Sequence, residues 1–360
     1  MLVCKKMRKR FHKDVSDLIT IKEVAKEANV SISTVSRVLN KSGYTSEKTK
    51  EKVLNAVEKL NYQGSLVAAA MKKKQTLTLG LIIPDIKNIF YSDLTRTIED
   101  RANSHGFNIF LCNTDNNLQK EAEYIHLLIA KGVDGIIFSS PEVDDGNIEE
   151  LKENYPELPV VILGGKFPKL ILNEIIVDNV DGAYKAMRHL LDLGHKDIAF
   201  IGGDPETYAS IERHQGYKLA LSERGVPINE DYVIFDKFYI DSGYENAMRL
   251  LKKNDRPTAI FAVSDSVAVG VYKAARELNI RIPEQLSVVG FDDSQYAEIL
   301  FPMLTTIRTP IKEMGQRAIE IMVKAIKDKQ IIKETILFYP TLIERESTMA
   351  VDEGHSKRMT

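Results

Sequence analysis

The chain has 360 residues, of which 44% are hydrophobic, so it has room for two or three domains with ordinary buried cores. No apolar run is long enough to span a bilayer and no signal-peptide stretch opens the chain, so we expect a cytoplasmic protein without a membrane partner. The net charge of −2 is unevenly spread: residues 1–76 carry 17 Lys and Arg against 7 Asp and Glu, and the remainder carries 32 against 44, which predicts a polyanion-binding head on an acidic body.

The stretch from Thr20 to Asn40 predicts two short helices joined by a tight turn. Thr20 and Glu23 have the spacing of a capping box, and Ser31 is a good N-cap for the second helix. The outer face of that second helix is small and polar, and consists of Ile32, Ser33, Ser36 and Arg37. A plain helical hairpin would also explain the pattern. We interpret it as a helix-turn-helix, because such a face fits the DNA major groove.

A third helix is predicted after Ser46, which is placed to cap it. Its apolar residues are expected to cover the first two helices, and are Val53, Leu54, Val57 and Leu60. Three short helices give a small core, so the head should be only marginally stable alone.

Residues 65–76 are predicted to form a short hinge helix between the head and the body. Ser65 can cap it and the alanines that follow favour a helix, but so short a helix is unstable in isolation. A flexible linker is the alternative interpretation.

From Leu77 onward, short apolar runs alternate with helical patterns in two successive series, the second of which starts after Asp178. This alternation is typical of parallel sheets with helices on both faces, so we predict two doubly wound α/β lobes. Ligands of such folds bind at the carboxyl ends of the strands, and here we expect them between the lobes.

The body carries no dinucleotide, P-loop, serine-hydrolase or zinc-protease motif, and its histidines lack metal-binding spacing. Cys4 and Cys112 form no disulfide or metal pattern, which fits a reducing cytosol. We therefore predict a binding protein rather than an enzyme, without catalytic residues, metal or cofactor.

Polar and aromatic side chains follow the predicted strands, where a bound ligand would lie. The candidates are Asp85, Asn88, Phe90, Tyr91, Arg213, Ser264, Asp265 and Asp292. Flat aromatic rings can cover a sugar ring, while Asn, Arg and Asp can hydrogen-bond its hydroxyls. Each aspartate taken singly is more simply a helix N-cap, and Phe90 a core residue, so the prediction depends on their shared position.

Several motifs resemble the lactose/galactose repressor (LacI/GalR) family almost to residue 348. In the head the motif is IKEVAKEANVSISTVSRVLN, which begins at Ile21. In the body they include Arg213-x-x-Gly216-Tyr217 and Val289-Gly-Phe-Asp292-Asp293. The resemblance implies a fold of class α + α/β. It has a three-helix head, a hinge helix and a two-lobed body that resembles periplasmic sugar-binding proteins.

The resemblance also implies the boundaries of the parts. We expect a disordered basic arm at 1–18, with Met1 or Met7 as the true start, the DNA-binding head at 19–64, and the hinge at 65–76. The body spans 77–350, and a disordered tail follows at 351–360. The N-lobe takes about 77–177 plus 308–335, and the C-lobe takes about 178–307 plus 336–350.

Position by position, the resemblance assigns DNA contacts to the head and hinge. Ile32, Ser33 and Arg37 match base-reading positions, and Met71 matches a residue that wedges into the minor groove. The full set of predicted DNA contacts is Thr20, Lys22, Ser31, Ile32, Ser33, Thr34, Ser36, Arg37, Asn40, Met71 and Lys72.

In the body, the resemblance assigns effector binding to Arg213 and Asp292, and to Phe238 in the crossing region. Two positions depart from the family pattern. Ser264 stands where many members have Asn, and Gly164 stands where many have an Asp that grips sugar hydroxyls. A simple sugar is therefore in doubt, and nearby Lys166 would suit a phosphate or carboxylate.

We therefore predict a homodimeric transcriptional regulator, a repressor of carbohydrate-metabolism genes, that binds a pseudo-palindromic operator under the control of a sugar-like effector. A regulator controlled mainly by a phosphocarrier protein is the alternative, because the body also resembles the catabolite-control branch. A transported-sugar receptor is opposed by the intact head. The sequence leaves open whether the effector is an inducer or a corepressor, and whether the assembly is a dimer or a tetramer.

Overall fold

The computed structural model describes residues 19–39, 42–62, 75–139, 146–328 and 333–351. The chain divides into two units, a head that ends at Thr76 and a body that begins at Leu77. The predicted arm lies outside the described residues, as do Asn40, Met71 and Lys72. Of the predicted hinge helix only Gln75 and Thr76 are described, and of the predicted tail only Val351, whose N–H donates to the Leu193 carbonyl at 2.9 Å.

The described part of the head contains three helices, α1 (Ile21–Glu27), α2 (Ile32–Leu39) and α3 (Glu47–Leu60). Each begins where a polar side chain can satisfy free backbone N–H groups. At α1 the Thr20 N–H donates to Glu23 Oε2 at 2.6 Å, and at α2 the Ser31 hydroxyl accepts from the Thr34 N–H at 3.1 Å. Ser46 caps α3, as predicted.

Seven buried side chains form the head core, and are Val24, Ala25, Ala28, Val35, Val38, Val53 and Ala56. Leu54, which we expected in this core, lies outside it, because its side chain is 47% exposed. Leu54 follows the buried Val53 by one residue, which turns its side chain about 100° around the helix and away from the core.

The N-lobe of the body is a six-stranded parallel sheet in the order β2-β1-β3-β4-β5-β11. Its strands are β1 (Thr78–Ile83), β2 (Asn108–Asn113), β3 (Gly135–Ser139), β4 (Val160–Leu163), β5 (Asn173–Val177) and β11 (Thr335–Phe338). Its helices are α4 (Ile89–Ser104), α5 (Leu118–Lys131), α6 (Gly146–Asn154) and α12 (Ile311–Asp328). Both faces of the sheet are buried, because Leu79 and Leu81 of β1 pack in one apolar cluster and Ile82 in another.

The C-lobe is a second six-stranded sheet in the order β7-β6-β8-β9-β10-β12, in which only the β10–β12 pair is antiparallel among the described strands. Its strands are β6 (Ile198–Ile201), β7 (Val233–Ile234), β8 (Ala259–Ala262), β9 (Ser287–Asp292), β10 (Thr305–Arg308) and β12 (Thr341–Ile343). Its helices are α7 (Asn179–Asp192), α8 (Tyr208–Glu223), α9 (Ile240–Leu251), α10 (Asp265–Glu277) and α11 (Gln295–Ile299). Within the described ranges, no helix has the length and apolar character needed to cross a membrane.

The chain crosses between the lobes three times in the described residues, after β5, after β10 and after β11. The last crossing differs from our expectation that the C-lobe resumes at 336. Residues Thr335–Phe338 pair in parallel with β5, so the N-lobe continues to Phe338. β11 is an edge strand with exposed and half-buried positions, so its sequence lacks the apolar run of a central strand.

Candidate functional site

A cavity lies between the two lobes, at the carboxyl ends of β3, β4 and β5 on the N-lobe side and of β9 on the C-lobe side. The N-termini of α4 and α8 complete its wall. It is lined by Asn88, Phe90, Tyr91, Leu94, Ser139, Leu163, Gly164, Val177, Asn179, Thr207, Tyr208, Ala209, Arg213, Phe238, Asp292, Thr309 and Met314. The position agrees with the sequence-based expectation of a ligand site at strand ends.

Arg213 projects from α8 into this wall and is buried. Its Nε donates to Asn179 Oδ1 at 2.9 Å, and its Nη1 donates to the Val263 carbonyl at 2.6 Å. Its guanidinium carbon lies 3.5 Å from the centre of the Phe291 ring. These contacts hold the guanidinium rigidly while part of its five N–H donors stays available to a ligand.

Asp292 ends β9 and approaches Arg213, with 3.4 Å between Oδ1 and Nη2. Burial raises the pKa of its carboxyl to about 6, although the neighbouring Arg213 opposes the shift. Its φ of +106° lies in a region that side chains other than glycine rarely adopt. In the described part of the chain its Oδ2 makes no hydrogen bond, so this atom can accept one from a ligand.

Among the described residues, four aromatic side chains line the cavity, Phe90, Tyr91, Tyr208 and Phe238. Phe90 and Tyr91 lie in the first turn of α4 and pack edge to face, with ring centroids 5.2 Å apart. Their position is fixed by Asn88, whose side chain caps α4 by accepting from the Phe90 N–H at 3.0 Å. Phe238 faces the cavity from the C-lobe, and Gly203 leaves the space that this ring fills.

Two buried hydroxyls in the cavity wall, Ser139 Oγ and Thr309 Oγ1, have no hydrogen-bond partner among the described residues. Leaving a buried hydroxyl unpaired is unfavourable, so a bound molecule that pairs with it gains binding energy. Neither residue was identified from the sequence. Both occur near strand ends, but a single Ser or Thr there gives no specific signal.

The remaining wall is largely apolar. Four apolar residues of the N-lobe in this wall are nearly fully buried, namely Leu94, Leu163, Val177 and Met314. Gly164 also lines the cavity and has a φ of +76°, a left-handed conformation that favours glycine. Because glycine has no side chain, this part of the wall carries no carboxylate.

Four predicted effector residues do not line the cavity. Asp85 accepts from the Lys87 N–H at 2.9 Å in the turn after β1, and Ser264 caps α10 by accepting from the Val267 N–H at 3.3 Å. Lys166 Nζ contacts Glu212 Oε1 at 2.5 Å and lies half exposed. Their side chains serve turns, caps and an ion pair, which the sequence could not distinguish from ligand contacts.

Asp265 is the fourth of these residues, and it is almost completely buried. Its Oδ2 accepts from the Ser294 N–H at 2.6 Å, and its Oδ1 accepts from Thr306 Oγ1 at 2.6 Å. Burial raises the pKa of the Asp265 carboxyl to about 7, and Asp292 adds to the shift. Asp265 thus ties β10 to the segment that precedes α11.

Asn179 and Tyr208 are polar residues of the wall that the sequence analysis did not identify. Asn179 begins α7 and bridges Arg213 to Glu212, whose Oε2 accepts from Asn179 Nδ2 at 3.1 Å. Tyr208 begins α8, and its hydroxyl donates to the Lys166 carbonyl at 2.6 Å. The position of Asn179 directly after Asp178, where the second series of alternating runs and helices begins, was a usable signal.

The second candidate surface is the outer face of α2 in the head. Ile32 is 45% exposed, and Ser33 and Arg37 are exposed beside it, so the predicted base-reading residues share one accessible face. Ser31 and Thr34 also take part in the cap, with 2.8 Å between their hydroxyls. Thr20 and Lys22 lie at the start of α1 and are exposed.

Comparisons with known proteins cover both units. Residues 20–65 match the bacterial regulatory proteins of the lacI family, and residues 187–348 match the periplasmic binding protein-like domain. The HTH-type transcriptional regulator DegA of Bacillus subtilis is 41% identical over 330 residues, which are 91% of this chain and 98% of that protein. Catabolite control protein A of Priestia megaterium is 37% identical over 92% of this chain and 99% of its own length.

Among solved structures, the lac repressor dimer bound to operator and the anti-inducer ONPF superposes with a TM-score of 0.84 at 28% identity. The superposition covers 92% of this chain and 99% of the repressor chain. Since relatives above one-third identity span the head and the body together, the chain belongs to the LacI family and is a DNA-binding transcriptional regulator.

Proposed function

We propose that the chain acts in the cytoplasm as a homodimeric repressor of carbohydrate-metabolism genes, and that a sugar or sugar derivative in the body cavity controls its operator binding. Two heads of a symmetric dimer would read a pseudo-palindromic operator, since the symmetry of the protein requires matching symmetry in the DNA. The lac repressor, to which this chain is similar, has been solved as a dimer bound to operator. The body would bind its effector without transforming it.

The observation that carries the effector proposal is the set of unsatisfied polar groups in the cavity. Ser139 and Thr309 offer hydroxyls without partners in the described structure, and Asp292 offers a free carboxylate oxygen beside the Arg213 guanidinium. A ligand with several hydroxyls can donate to some of these groups and accept from others. The apolar wall and the Phe90 ring suit the carbon face of such a ligand.

A regulator governed mainly by a phosphocarrier protein is the second candidate, and the identity to catabolite control protein A favours it. The small effector and the phosphocarrier protein would bind at different places on the body. A protein partner would act on the surface of the body, whereas a built cavity with unpaired hydroxyls suits a small molecule. We therefore favour the small effector.

The test is a thermal-shift screen of the full-length chain against neutral sugars, sugar phosphates, sugar acids and nucleosides. A ligand present at 100 times its dissociation constant should stabilise the protein by about 2.7 kcal/mol, which gives an easily measured shift. A hit whose binding is weakened in the Thr309→Ala variant supports the proposal. If no compound stabilises the chain while a phosphocarrier protein does, the second candidate replaces it.

A further inference from the structure

A continuous chain of polar contacts runs from the surface of the N-lobe to the cavity. It starts at Lys166, which follows β4 and pairs with Glu212 of α8 at 2.5 Å. Glu212 accepts from Asn179 at 3.1 Å, and Asn179 accepts from Arg213 at 2.9 Å. Arg213 then reaches Asp292 at 3.4 Å. Two cations and two carboxylates therefore alternate along one path that joins the lobes.

Glu212 occupies the middle of this chain and uses both carboxylate oxygens. Oε1 contacts the Lys166 ammonium, and Oε2 accepts from the Asn179 amide in the cavity wall. Its side chain is only 14% exposed, so water screens the Lys166 contact weakly on this side. The Lys166 backbone is tied to the same wall, because the Tyr208 hydroxyl donates to its carbonyl. Lys166 thus lies beside the cavity with its charge already compensated.

We propose that Glu212 is a specificity-determining residue, which excludes phosphorylated and other anionic effectors by holding Lys166 away from the cavity. The inference rests on the proposed effector site. Among the described lining residues, Arg213 is the one permanent cation, and it is paired with Asp292. A phosphate in the cavity would meet the Asp292 carboxylate and no uncompensated cation, with Glu212 held just behind Asn179 of the wall, whereas a neutral polyol meets only hydrogen-bonding groups.

The test compares Glu212→Gln with the wild type in the full-length chain. Gln has the same size and can still accept from Asn179, but it releases Lys166. The probes are two matched pairs, ribose with ribose 5-phosphate and glucose with glucose 6-phosphate. Calorimetry measures the affinity of each compound, and the readout is the affinity of the phosphorylated member divided by that of the neutral member. We expect the wild type to prefer the neutral member, and the ratio to rise about tenfold in Glu212→Gln, as for one charge-assisted hydrogen bond gained.

Three controls isolate the role of Lys166. Glu206→Gln removes an equal charge from an exposed site near the start of α8 and should leave the ratio unchanged. Combining Glu212→Gln with Lys166→Met should cancel the gain, because the released ammonium is gone. Lys166→Met alone leaves Glu212 unpaired and should lower the ratio, which gives an independent reading if Glu212→Gln folds poorly.

Two results would overturn the inference. The first is a wild type that already prefers the phosphorylated member, and the second is a Glu212→Gln ratio equal to that of Glu206→Gln. Either result leaves the effector site itself intact, because ligands still bind. If no member of either pair binds the wild type or any variant, while an unrelated compound stabilises the chain without sensitivity to Thr309→Ala, the effector site and this inference both fail.

Discussion

Arg213 and Asp292 are 79 residues apart in the sequence, yet their charged atoms lie 3.4 Å apart in the wall of the cavity. Both side chains are more than nine-tenths buried, so each loses most of its hydration. Burial lowers the pKa of Arg213 and raises that of Asp292, because loss of water disfavours the charged form of each group. Such a buried pair adds little to stability by itself, which fits the proposed role of presenting fixed donors and acceptors to a ligand.

Replacement of Arg213 by Met should therefore destabilise the body and abolish effector binding. The change leaves Asp292 and Asn179 Oδ1 buried without their donor, and removal of one partner from a buried pair costs about 3–5 kcal/mol. Urea denaturation measures the loss. Arg308→Met is the control, because Arg308 is 53% exposed where it pairs with Asp293 and should cost less than about 1 kcal/mol. Equal losses in the two variants would contradict this role for the buried pair.

A second prediction concerns the unpaired hydroxyls of Ser139 and Thr309. Ser139→Ala and Thr309→Ala should leave the stability of the unliganded chain nearly unchanged, because neither hydroxyl has a partner in the described structure. Each change should weaken effector binding by about 1 kcal/mol, or roughly fivefold, as expected for one hydrogen bond. Calorimetry with the best ligand of the screen measures this.

Ser210→Ala is the matched control for these variants. Its hydroxyl is also buried and unpaired among the described residues, but Ser210 does not line the cavity. Effector affinity should therefore be unaffected by this change. A loss as large as that of Thr309→Ala would show that the hydroxyls act through packing rather than by contact with the ligand.

A third prediction concerns pH. Burial raises the pKa of Asp265 to about 7 and that of Asp292 to about 6, from an ordinary value of 3.8. Between about pH 4 and the raised pKa of each group, the folded chain holds a proton that the unfolded chain has already released. The contribution of both groups to stability is therefore complete below about pH 4, and it is lost as the pH rises through 6 to 7.

The Asp265→Asn variant resembles the protonated state, since its carbonyl can accept from the Ser294 N–H and its amide can donate to Thr306. We expect it to be more stable than the wild type at pH 8, with a smaller difference at pH 5. Urea denaturation at the two pH values measures this, and exposed Asp241→Asn serves as the control. A variant that is destabilised by the same amount at both pH values would contradict the assignment.

The head gives a fourth prediction. Arg37 is exposed on the outer face of α2, so Arg37→Ala should cost about 1–3 kcal/mol at one base pair of each half-site. Lys50→Ala in α3 is a suitable control, because a phosphate contact would weaken binding evenly across sequences and reduce the salt dependence. Binding to operator and to random DNA is measured by fluorescence anisotropy. An equal loss on both DNAs for Arg37→Ala would contradict a base contact.

Local signals in the sequence predicted the helix starts of the head, because a capping box acts over three residues and needs no tertiary information. Thr20 with Glu23, and Ser31 with Thr34, form the expected bonds. The sequence wrongly predicted that Leu54 is buried. Val53 and Leu54 are both apolar, and only the packing of α3 on its neighbours decides which of them is buried.

In the body, the expectation that ligands bind at the carboxyl ends of the strands led to the candidate cavity, but not to all of the residues that line it. It correctly grouped Arg213, Asp292 and Phe90, because parallel strands bring their carboxyl ends to one edge. It also included Ser264 and Asp265, whose side chains turn toward α10 and Ser294 instead. The direction of a side chain at a strand end depends on its partners, and those come from distant segments.

The central claim is that occupancy of the cavity changes operator binding, and one titration tests it directly. An operator selected from random DNA would be titrated with the full-length chain, with and without the saturating effector. Allosteric coupling of typical size changes the operator dissociation constant by about 5–150-fold, and its direction distinguishes an inducer from a corepressor. We expect such a change in the wild type, with its midpoint moved to higher effector concentration in the Ser139→Ala, Thr309→Ala double variant. An effector that demonstrably fills the cavity yet leaves operator affinity unchanged would contradict the account.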